Sequence, residues 1–83
     1  MRQENVVIEL ERAEALVLFE LFSRFTDDES ADDFSKFARF EGEQGSFYAL
    51  IARLEESLPE IISSDYFQEL VDARKRCKEL YGF

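Results

Sequence analysis

The 83-residue chain has no histidine and no tryptophan, and only one cysteine, Cys77, and one proline, Pro59. The missing histidine removes the side chain that most often acts as a general base near neutral pH, and the commonest metal ligand. Without it, Cys77 has no imidazole to form a thiolate–imidazolium pair, and there is no Cys/His spacing for zinc. A lone cysteine also excludes an internal disulfide, which fits a reducing compartment. Gly42 and Gly45 lack the neighbouring Lys and Ser/Thr of a phosphate-binding loop. No catalytic, cofactor or metal residue is therefore assigned, and the chain is read as a non-enzyme.

Bases are scarce too: ten Lys and Arg stand against nineteen Asp and Glu, a net charge of −9. Such repulsion disfavours nucleic acid and anionic membranes as direct partners, and it favours solubility or a basic protein partner. The imbalance is local. Residues 1–69 hold six bases and seventeen acids, whereas residues 70–83 hold Arg74, Lys75, Arg76 and Lys78 against Asp72 and Glu79.

Long apolar runs are missing as well. The longest apolar segment, Ala13 to Phe25, is broken by Glu14 and Glu20 and is too short for a membrane span. The opening MRQENVVIEL has no long apolar run and no small-residue cleavage site, so no signal peptide is expected and the expected location is the cytoplasm. Core material is nonetheless sufficient. Nine Phe, three Tyr and an apolar content of 46% argue against disorder and for one domain spanning residues 1–83. A chain of this length has a small stability margin.

Ala13–Phe25 is the segment around which the rest is expected to pack. At ~100° per residue, Ala15, Leu18, Phe22 and Phe25 line up, widened by Val17 and Leu21 on one side and Phe19 on the other. The apolar arc spans roughly 200°, wider than the ~100° stripe of a helix covered on one side. This helix, from about Glu11 to Thr26, therefore needs more than one neighbour. A homodimer, with a two-fold copy on the extra face, is one way to supply it. Ahead of it, Val6, Ile8 and Leu10 alternate with Val7 and Glu9 as in a strand; the segment either pairs with a symmetry copy or is an extended lead-in on the core.

The run TDDESADD, Thr26 to Asp33, is a polar loop, with Ser30 and Asp33 resembling a capping box for a second helix. Phe34, Phe37 and Phe40, three apart, share a face if that helix forms. Gly42 and Gly45 mark a turn, with Ser46 as N-cap of a third helix over Phe47 to Leu58. Pro59 ends it, and Ile61 and Ile62 are expected to plug an end of the core. The last helix begins at Ser64 and Asp65 and stops at Gly82. Its buried side is predicted to carry Phe67, Leu70, Val71, Cys77, Leu80 and Tyr81. The fold class is all-α: a compact bundle of three or four helices, with or without a short N-terminal strand.

Two polar features stand out. Asp27, Asp28, Glu29, Asp32 and Asp33 form an acid run without the D-x-D-x-D-G spacing and final Glu of a calcium loop, so they are the candidate partner-binding residues rather than a metal site. Arg74 lies on the apolar stripe of the last helix, where its guanidinium must reach solvent or a carboxylate. A structural ion pair with Glu14 is expected, with Glu55 or Glu69 as substitute acids.

The opening V-V-I-E-L-x-x-x-E-A-L-V-L-F-E, residues 6–20, resembles small bacterial helical proteins of unassigned function, as do L-E-E-S-L at 54–58, D-Y at 65–66 and A-R at 73–74. These are helix-packing residues. The resemblance implies a bacterial, intracellular source and no activity. The favoured function is a small acidic binding protein that inhibits or neutralises a basic partner, such as a toxin nuclease or a nucleic-acid-handling enzyme. The alternative is a helical adaptor or complex subunit with mainly apolar contacts. An enzyme is the third reading, for which no catalytic set can be named.

Overall fold

The computed structural model describes residues 4–27 and 29–83, and their regular structure is entirely helical. Four α-helices follow one another: α1 Arg12–Phe25, α2 Ala31–Phe37, α3 Glu43–Ser57 and α4 Tyr66–Tyr81, with a 3-10 turn, Pro59–Ile62, between α3 and α4.

Helix α1 starts where the Glu14 carboxylate turns back to accept the Glu11 N–H at 2.9 Å. It ends where the Thr26 hydroxyl donates to the carbonyls of Phe22 and Ser23. Its wide apolar arc packs against α3 on one side and α4 on the other. The central cluster joins Ala15 and Leu16 of α1 to Leu54 and Leu58 at the end of α3 and to Leu70 and Ala73 of α4. Val17, Leu18, Phe19, Phe22, Ile61 and Tyr66 close round it. Helices α1 and α4 run antiparallel, since Glu14 meets Tyr81 while Glu20 meets Arg74.

Several boundaries differ from expectation. Ser30 precedes α2, but its φ of −102° and ψ of 4° are not the extended geometry that aims a cap hydroxyl at the first N–H groups, and its side chain makes no cap bond. The Asp27 carboxylate turns the chain instead, accepting the Ser30 N–H at 3.0 Å. Helix α2 ends at Phe37, so Phe40 lies outside it. Phe34 is buried, while Phe37 and Phe40 are 71% and 63% exposed; the three rings do not share a buried face.

Helix α3 begins four residues before the expected start. Gly42 alone makes the turn, at a φ of +84°, a backbone conformation that other residues adopt only with strain. The Glu43 carboxylate then accepts the Phe40 N–H at 2.8 Å and stabilises the new helix end. Gly45 and Ser46 fall inside α3. Pro59 stops α3 as expected, and Gly82, at a φ of +83°, stops α4.

In α4 the buried face is Leu70 and Ala73, with Tyr66 and Cys77 half-buried, whereas Phe67, Val71, Leu80 and Tyr81 are exposed. Ile61 packs on the core but Ile62 points outward. Residues 6–10 carry no regular structure and form no strand; Val6, Val7 and Ile8 stand in solvent. Among the described residues no helix is long and apolar enough to cross a membrane.

The weight of the central cluster is testable. Leu16→Ala should lower unfolding free energy by about 2–5 kcal/mol in denaturant titration, because it leaves a cavity between three helices. Ile62→Ser should stay within about 0.5 kcal/mol, since that side chain is already in water.

Candidate partner-binding surface

Around α1, α4 and the 3-10 turn, three acids, Glu11, Glu20 and Glu60, are paired with arginines. Arg12 grips Glu60 with two nitrogens, at 2.8 and 2.6 Å. Arg76 reaches Glu11 at 2.8 Å, and Glu20 accepts from both Arg24 at 3.0 Å and Arg74 at 3.1 Å. Arg74 therefore does meet a carboxylate across helices, but that carboxylate is Glu20. Glu14 lies nearly two turns nearer the start of α1, opposite the far end of α4, so it takes the Tyr81 hydroxyl instead. Glu55 is exposed on α3, and one oxygen of Glu69 is buried without a hydrogen-bond partner.

The Tyr81 hydrogen bond, with that of the Glu11 N–H behind it, holds the Glu14 carboxyl below its ordinary range; the same bond pushes the Tyr81 phenol up. Cys77 is half-buried beside them, and burial, reinforced by Glu14 and Glu11, raises its pKa. It is a packed, protonated thiol near neutral pH, without the lowered pKa of a nucleophile.

The segment from Asp27 to Glu43 is different. It carries seven acids against Lys36 and Arg39. Asp27, Glu29, Asp32 and Asp33 are all exposed, and among the described residues none forms an ion pair. Asp28 lies outside the described residues. Arg39, the one guanidinium within this segment, sits over the Phe40 ring, 4.9 Å from its centroid. Asp27 and Glu29 edge a cleft, while Asp32 and Asp33 lie in the first turn of α2.

That cleft was not legible from the residues. It has a volume of about 520 Å³ and an apolar floor of Leu21, Phe22, Phe25, Phe37 and Phe47. A second, shallower cleft of about 720 Å³ shares Phe37 and Phe47, continues to Leu50, and is edged by Glu41 and Glu43. Phe37 is the ridge between them. The walls are held by stacked rings: Phe34 lies 5.2 Å from Phe47 and 5.6 Å from Phe25, and Phe37 lies 5.7 Å from Phe25. Such tilted and edge-on pairs are worth about 0.5–1.5 kcal/mol each beyond burial.

Among the described residues, no group of three or more Cys, Asp or Glu side chains is placed to hold a metal ion. Comparison with protein families, curated proteins and solved structures finds no match to this chain. The class is thus that of a small all-α protein with an acid-edged apolar trough, and its function is read from that geometry.

The Glu14–Tyr81 bond has a defined pH window. The lowered Glu14 pKa makes its contribution to stability present above the ordinary carboxylate range and lost as pH falls through the lowered value. The raised Tyr81 pKa makes its contribution present below ~10 and lost as pH rises through the raised value. An NMR titration should place the Tyr81 midpoint above ~10, and Glu14→Gln should bring it back down.

Proposed function

We propose that the protein is a small, acidic, non-catalytic binding protein of the cytoplasm that inhibits or neutralises a basic protein partner. A toxin nuclease or a nucleic-acid-handling enzyme would be such a partner, met by carboxylates set where phosphates would otherwise sit. The observation that carries this reading is the clustering of Asp27, Glu29, Asp32 and Asp33, all exposed and, among the described residues, without an ion pair, whereas Glu11, Glu20 and Glu60 are each held by arginine. Unmatched charge of one sign speeds encounter with an oppositely charged surface.

Surface area supports a binding role. The chain exposes 6925 Å², about a third more than the ~5,200 Å² typical of a monomer of this mass. The excess is about twice the ~800 Å² that one partner contributes to a standard protein interface.

The test is association with a basic probe, poly-lysine, followed across ionic strength. Affinity should fall steeply as salt rises. Replacing Asp27, Glu29, Asp32 and Asp33 by their amides should weaken binding at least tenfold. Replacing Glu9, Glu55, Glu56 and Glu79, also exposed, should weaken it far less. Equal losses in the two variants would mean that net charge, not this surface, governs binding.

A second reading, self-association through apolar contacts, is favoured by one observation. Val6 is 88% exposed and Val7 87%, and among the described residues no backbone hydrogen bond reaches residues 6–10. A β-branched segment whose N–H and C=O groups are unpaired is a template for pairing with a second strand. Sedimentation should then show a dimer that strengthens with salt, as the like charges are screened. Ile8→Pro, which removes a ladder donor, should abolish it. A monomer at every concentration and salt would exclude this reading.

A further inference from the structure

We infer that the trough on either side of Phe37 is the docking groove for a basic amphipathic helix of the partner, with apolar side chains anchored in both clefts and lysine or arginine side chains on the acidic edges. This deepens the proposed function and rests on it.

Three observations define the occupant. The first is the floor. Phe37 is 71% exposed although its ring lies against Phe25, and Leu21, on the outer edge of α1, is 43% exposed. An exposed aromatic between two apolar clefts is poorly placed for a free monomer and well placed for an interface core, where aromatic anchors concentrate binding energy.

The second is the edge. Asp27 and Glu29 border one cleft, and Glu41 and Glu43 the other. The one base bordering either cleft, Arg24, already bonds Glu20. The charge complement of this edge is a ring of cations around an apolar centre. A nucleic acid or an acidic peptide would meet repulsion there, and a wholly polar cation would leave the floor wet.

The third is the backbone. Apart from loop residues at its rim, the walls belong to α1, α2 and α3, whose N–H and C=O groups are largely spent within the helices. The trough therefore has no sheet edge with which an extended peptide could pair. A helix brings its own hydrogen bonds already made, and its apolar stripe presents anchors one turn apart. One anchor on each side of Phe37 is the arrangement that this ridge permits.

The experiment compares two lysine–leucine peptides of identical composition. In one, the leucines recur at i, i+3, i+4 and i+7; in the other, they are scattered round the helix. Binding to the full chain is measured by titration calorimetry at low salt, with poly-lysine as the charge-only probe. The amphipathic peptide should bind at least tenfold more tightly than the scattered one, about 1.4 kcal/mol. Phe37→Ala should erase that preference and leave poly-lysine binding unchanged. Leu21→Ser is the second variant, chosen on the opposite wall, and circular dichroism confirms that each variant remains helical. Amide shifts on adding the amphipathic peptide should centre on residues 21–25 and 37–47.

Equal binding of both peptides, insensitive to Phe37→Ala, would overturn the groove while leaving the acidic-surface function standing. Failure of both peptides and of poly-lysine to bind at low salt would overturn the two together.

Discussion

Everything in this molecule depends on Leu16 and Ala15 being covered from two directions. Those residues occupy adjacent positions about 100° apart on α1, and helices on both sides of α1 contribute to burying them. Leu54 and Leu58 approach from α3, and Leu70 and Ala73 from α4. Pro59 ends α3, and the grip of Arg12 on Glu60 holds the 3-10 turn against the start of α1.

The charge layout follows from the same packing. Antiparallel α1 and α4 bring the acids Glu11, Glu14 and Glu20 alongside Arg76, Tyr81 and Arg74. The bases concentrated near the end of the chain are thus used to neutralise the acids near its beginning. Among the described residues no ion pair reaches the acids of residues 27–43, and the aromatic floor lies between them. Exposed ion pairs of the first kind contribute only about 0–1 kcal/mol each, so they orient helices more than they stabilise them.

Much of the fold was readable before any coordinates. The position of α1, its need for more than one neighbour, the stop at Pro59 and the stop at Gly82 all follow from local chemistry. What was misread has a common cause. Large side chains drew attention to Phe67 and Val71, whereas the face that meets α1 runs through Tyr66, Leu70, Ala73 and Cys77, with a small alanine at its centre. Close helix approach selects for small residues, and hydrophobicity alone does not register them. The site was half legible. The acid run is a matter of composition, and it was visible. The trough was not, because Leu21, Phe37 and Phe47 become neighbours only once α2 has folded across α1 and α3. The same holds for Arg74: its need for an acid was plain, but whether Glu14 or Glu20 answered depended on the register of two antiparallel helices.

Helix α2 is the shortest of the four, and it is joined to the rest mainly through rings. Phe34 is its one buried residue, and it touches Phe25, Phe47 and Tyr48 outside the leucine-rich centre. A seven-residue helix has little cooperativity of its own. It is therefore expected to open as a separate unit while α1, α3 and α4 stay closed, with amides that exchange ahead of theirs. The width of the trough is accordingly an equilibrium property of one aromatic joint, and any occupant that holds Phe37 in place also closes that joint.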